Sequence, residues 1–166
     1  MARLSRTARS LTALALAAGL TGGGLAAGQA HADQGNYVKT LRCDSPDPFP
    51  GPPLRITVDV WNKMKHPSDG LPAPAIALIA SNNRKQGIFP NAGIYTMETT
   101  VNWRNVTTGK RGVVRVPTRA SHVTWQAVIH PGHGRVDFTV RQKIGVLALV
   151  PMVNPQYSSC RGSAVA

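Results

Sequence analysis

Apolar and polar residues alternate through the middle of this chain, and the period of the alternation predicts strands. Leu54, Ile56, Val58 and Val60 interleave with Arg55, Thr57 and Asp59, which marks a strand with one buried face. In a second stretch Tyr95, Met97, Val101 and Trp103 share one side, while Glu98, Thr100, Asn102 and Arg104 share the other. The Gly-Lys-Arg-Gly sequence at 109–112 then turns the chain back into Val113 to Val116.

A hairpin is predicted from His122 to Arg141, reversing at His130, Pro131, Gly132 and His133, where proline presets one turn angle and glycine accepts a positive one. Its arms are mutually consistent. Val123, Trp125, Ala127 and Ile129 share a face with Val136, Phe138 and Val140, while Thr124, Gln126, Asp137, Thr139 and Arg141 face away. Ala75 to Ala80 and Val146 to Val150 are apolar on both sides, as in strands deep within a sheet. The run Ile144 to Val153 reads as one core strand, followed by a short edge strand around Gln156 to Arg161 that returns toward Cys43.

No stretch after residue 32 keeps a helical apolar period for three turns. The pattern predicts an all-β domain, an antiparallel β-sandwich of about seven or eight strands, immunoglobulin-like in general shape, with a small barrel as the competing architecture. Residues 43–53, with prolines at 46, 48, 50, 52 and 53, should form an extended ordered loop.

The N-terminus carries a different pattern. Arg3, Arg6 and Arg9 precede the apolar run Leu11 to Leu20, and Ala30-His31-Ala32 is a small-x-small cleavage site, so residues 1–32 read as a secretory signal peptide and 33–166 as one exported domain. The apolar run is too short to anchor the chain, and no later stretch is long enough to span a bilayer. Loss of three leader arginines lowers the charge from +12, leaving 16 basic against 7 acidic residues, or +9. Such a charge favours anionic surroundings and aids solubility. An oxidising destination lets the two cysteines, Cys43 and Cys160, pair and clasp the ends of the domain.

Catalytic signatures are missing. Glu98 is the sole glutamate, Asp59, Glu98 and Asp137 fall on outward strand faces, and the loop residues Asp44, Asp47 and Asp69 read as turn formers. No Gly-x-Ser-x-Gly elbow is present, and a disulfide removes both thiols as nucleophiles. The expectation is therefore no enzyme and no cofactor.

Two clusters remain as candidate sites. Arg104, Arg111 and Arg115, with Arg119 just beyond, form a basic stripe on the outward side of the 95–117 hairpin, although one register places Glu98 opposite Arg119. No tryptophan accompanies the stripe, so no base-stacking platform is visible and no specific nucleic-acid partner is expected. If successive strands reverse direction, His66, His130 and His133 reach one rim, where three imidazoles could bind zinc or copper. Asn105-Val106-Thr107 matches a glycosylation acceptor but reads as a hairpin loop, and the loop 81–93 carries Arg84, Lys85 and Phe89 as partner-contact candidates. The sequence thus predicts a secreted, non-catalytic domain that binds an anionic envelope polymer or an acidic protein. A secreted metal-binding protein using the histidine rim is the alternative, and a hydrolase with a loop site is the third reading.

Overall fold

The computed structural model describes residues 35–82, 93–147 and 151–166. The predicted leader and the residues Arg84, Lys85 and Phe89 lie outside the described residues. The strands are β1 (Asn36–Arg42), β2 (Ile56–Asn62), β3 (Ile76–Asn82), β4 (Tyr95–Asn105), β5 (Arg111–Ala120), β6 (Thr124–Ile129), β7 (Arg135–Leu147) and β8 (Met152–Val165). They form two four-stranded sheets, ordered β1-β2-β3-β6 and β5-β4-β7-β8, in which every pairing is antiparallel. The sheets stack as a β-sandwich, with β1 running near β8 and β6 near β5.

The alternating residues fill the space between the sheets. Ile56, Val58 and Val60 of β2, Leu78 of β3, Met97 and Val101 of β4, Ile129 of β6 and Val136 and Val140 of β7 are completely buried there. Each such side chain contributes about 1.5–3 kcal/mol relative to exposure. At one end Trp103 and Phe138 lie side by side in the inner row, flanked by Gly112 and Gly162. A Cβ on Gly112 would sit 2.4 Å from the Trp103 ring, so the glycine makes room for the indole to lie over the neighbouring strand.

One covalent and two polar braces hold the sandwich closed. Cys43 and Cys160 form a disulfide between residues 117 apart in sequence, joining the end of β1 to the middle of β8. Gln142 of β7 is buried, accepts from Trp125 Nε1 of β6 at 3.1 Å and donates to the Cys43 carbonyl at 3.3 Å. Asn105, with no exposed surface, donates to the carbonyls of Pro131 and His133 at 3.0 and 2.9 Å and accepts from the Thr107 and Thr108 amides. A glycosyl group needs a free, accessible amide nitrogen, so the acceptor-like triplet is a structural cap.

Three sequence expectations need correction. The segment 122–141 is not a hairpin: β6 pairs with β3 and β7 pairs with β4 and β8, so the turn at 130–133 carries the chain from one sheet to the other. Both arms still bury the faces named for them, because an arch and a hairpin demand the same alternation. The run 144–153 is not one strand; it is divided between the end of β7 and the start of β8. β8 does lie at a sheet edge, yet it has 14 residues and runs away from the Cys43 end, passing Cys160 in mid-strand.

Candidate anion-binding face

The β4–β5 hairpin builds the first part of the site. Gly109 takes φ 76° in the turn, and its amide donates to the Asn105 carbonyl at 2.8 Å, which returns the chain in register. Arg104 then stands directly opposite Arg111, Arg115 opposite Thr100 and Arg119 opposite Thr96. All four predicted arginines are exposed on the outer face of their sheet. Glu98 does not partner Arg119. It stands opposite Pro117 and Lys143, and its carboxylate lies 3.9 Å from Lys143 Nζ.

The register across β7 and β8 extends the face well beyond that stripe. Arg135, Arg141 and Lys143 of β7 and Arg161 of β8 share the outer side with the four arginines, against only Glu98 and Asp137. Both acids have a cation nearby, Lys143 at 3.9 Å and Arg135 at 3.5 Å. Among the described residues, Arg104, Arg111, Arg115, Arg119, Arg141 and Arg161 have no carboxylate within ion-pair distance. Like charges directly opposite in an antiparallel pair destabilise a sheet, and the Arg104–Arg111 pair is offset in part by Asp137, which stands opposite Arg104 on β7.

At the end of the face nearest the β4–β5 turn lies an open groove of about 620 Å³. Arg104, Arg111 and Arg161 line it with Asp137, Asn102, Thr139 and Ser163, and Trp103, Phe138 and Lys39 of β1, an edge strand of the opposite sheet, complete the lining. Charged forks and neutral hydrogen-bonding groups thus open onto the same space, which suits a carboxylate or phosphate carried on a hydroxylated molecule.

Arg141 and Arg161 were both accessible to sequence reasoning. Arg141 already faces away from the core in the alternation, but a hairpin with β6 hides its place beside the arginine stripe. Arg161 follows Cys160, and an inward cysteine implies an outward neighbour.

The histidines do not form one rim site. His130 directs Nδ1 to the Pro72 carbonyl at 2.9 Å and Nε2 to Asp69 Oδ2 at 2.8 Å, so its ring pins the loop 63–75 and both nitrogens are engaged. His133 is tied through its backbone carbonyl to Asn105, and His66 lies exposed beyond β2. Among the described residues no three His, Cys, Asp or Glu side chains form a group able to hold a metal ion. The ends were foreseen correctly, since these loops lie opposite Cys43, but sharing an end does not bring side chains together.

The loop carboxylates act in backbone hydrogen bonding. Asp44 accepts from Ile56 N, Asp47 from Phe49 N and the Tyr95 hydroxyl, and Asp69 from Leu71 N. Burial alone would raise the Asp69 carboxyl, but hydrogen bonds from His130 and Leu71 and the imidazole charge outweigh it and hold the pKa below the ordinary value. Comparison with known proteins finds no matching family model, no matching curated protein and no matching solved structure.

Proposed function

We propose that this chain is a secreted, non-catalytic binding domain, immunoglobulin-like in general shape, whose outer β5-β4-β7-β8 face holds an anionic polymer at the cell envelope or outside the cell. One observation carries the reading: four adjacent strands place on a single exposed face six arginines that have no carboxylate partner among the described residues. A disulfide and the leader-like N-terminal sequence support export. The loop aspartates, already engaged with backbone amides, give no support to a hydrolytic site.

The test is binding of the disulfide-bonded mature protein to polygalacturonate and to polyphosphate across a salt series. Screening at physiological ionic strength limits exposed charges to a range of about 8 Å, so affinity should fall steeply as salt rises. Changing Arg104, Arg111 and Arg115 together to Ala should weaken binding at least about tenfold, a loss of roughly 1.4 kcal/mol. Equal binding by wild type and triple variant would move the site off this face.

A further inference from the structure

The half of the face formed by β7 and β8 has a pattern that charge alone does not explain. Along β8, inside the outward Val165 at its end, the outward residues are Ser163, Arg161, Ser159 and Tyr157, and beside them on β7 stand Asp137, Thr139, Arg141 and Lys143. Arg161 is opposite Thr139, and Ser159 is opposite Arg141, so guanidinium and hydroxyl groups alternate along β8 and face each other across the two central pairs. At the end of this column Tyr157 is 68% exposed, although a tyrosine ring ordinarily buries much of its surface.

We propose that this half-face is a track for an acidic glycan, a chain of sugar rings bearing carboxylate or phosphate groups. The inference rests on the anionic-polymer reading above and adds the chemistry of the polymer. Arg161 and Arg141 take anionic groups through their forked donors. Thr139, Ser159 and Ser163 both donate and accept, which matches the hydroxyls of a sugar, whereas a bare polyanion uses only their donor side. Tyr157 lays an apolar ring surface against the C–H face of one sugar while its hydroxyl stays in water.

The dimensions agree with an extended chain. Six residue steps lead from Tyr157 to Ser163, so the track runs ~20 Å along the strand, and β7 and β8 give it a width of ~5 Å between backbones. Single-stranded nucleic acid is the less suitable polyanion, because it calls for aromatic rings under successive bases and this track has one tyrosine. The groove lined by Arg161, Thr139 and Ser163 lies at the far end from Tyr157, where Arg104 and Lys39 add positive charge beside Asp137, and it seats the terminal repeat.

Four probes at matched charge concentration test this with the disulfide-bonded mature protein. They are polygalacturonate (sugar with carboxylate), phosphomannan (sugar with phosphate), polyphosphate (charge without sugar) and oligo-dT (charge with bases). At least one glycan should bind more tightly than polyphosphate and oligo-dT, and whichever glycan leads identifies the anionic group.

Tyr157→Ala should weaken that glycan about tenfold, the scale of one lost ring contact, and leave polyphosphate unchanged, while Tyr157→Phe keeps glycan affinity. Because Tyr157 is exposed, neither variant disturbs the core. Polyphosphate binding as tightly as both glycans, with Tyr157→Ala indifferent, overturns the glycan track but keeps the anionic-polymer reading. Oligo-dT binding tightest and losing affinity in Tyr157→Ala replaces the glycan with nucleic acid. Failure of all four probes to bind overturns both readings.

Discussion

The two outer faces of the sandwich come from the same strand alternation and are used in opposite ways. On the β1-β2-β3-β6 sheet the outward positions Trp61, Ala77 and Val128 are apolar, and the chain covers them itself: the loop 63–75 folds back so that Met64 and Ala75 form a second small core with them. Gln126 donates to Ser68 Oγ at 3.0 Å, and His130 holds Asp69 and the Pro72 carbonyl, which fastens the loop down. On the β5-β4-β7-β8 sheet the corresponding positions across β4, β5 and β7 are mostly charged or hydroxylated and stay exposed. An apolar outward row is closed by the protein's own loop because water disfavours it. A basic outward row gains nothing from such a cover, so it remains available to another molecule.

The largest disturbance to this contrast acts on the sandwich that supports both faces. Replacing Cys43 and Cys160 with Ala should lower unfolding stability by up to about 5 kcal/mol, because the closed loop is long. Chemical denaturation of oxidised wild type and double variant measures the loss, and hydrogen exchange should quicken along β1 and β8 together. A loss below about 1 kcal/mol would mean that the buried Gln142 brace and the apolar core hold the sheets without the covalent link.

A smaller effect separates the faces directly. Met64→Ala empties a buried position in the second core and should cost about 2–3 kcal/mol, whereas Arg115→Ala on the open face should stay within about 0.5 kcal/mol. Equal losses from the two would show that the exposed arginines stabilise the sheet, and the distinction between a closed and an open face would fail.

The smallest effect is acid-dependent and confined to the covered face. Asp69 has a lowered pKa in the folded protein, so its ionised form favours the closed loop above the unfolded carboxyl value of 3.8, and that contribution is lost as pH falls through the folded value. Protection of amides within residues 63–75, corrected for the intrinsic pH dependence of exchange, should therefore fall below about pH 4. Asp69→Asn should remove this pH dependence. His130→Ala should move its midpoint upward, since the ring supplies both the hydrogen bond and the charge that lower the pKa. The partial exposure of both side chains keeps the effect small.

Much of the architecture was legible in residue order, because inward and outward positions alternate whatever a strand's partner is. Val123, Trp125, Val136 and Phe138 were assigned to the interior correctly even though the hairpin containing them does not exist. The arginines at 104, 111, 115 and 119 could be placed on one outward side because a short glycine turn joins their strands. Three histidines in three separate loops had no such local link, and the structure gives His130 to Asp69 and Pro72 instead.

By itself the sequence determined which residues face the core, that the fold is all-β, and that Cys43 and Cys160 are available to each other. Those properties follow from side-chain period, turn chemistry and cysteine count, all of which are local or compositional. Only the tertiary structure decided that β6 and β7 belong to different sheets, which brings Arg141 and Arg161 beside the β4–β5 arginines and Tyr157 onto the same face. The physical reason is that alternation specifies a side of a strand but not its neighbour. Strand pairing is settled by packing and hydrogen bonding across the whole sandwich, between residues that the linear order keeps far apart.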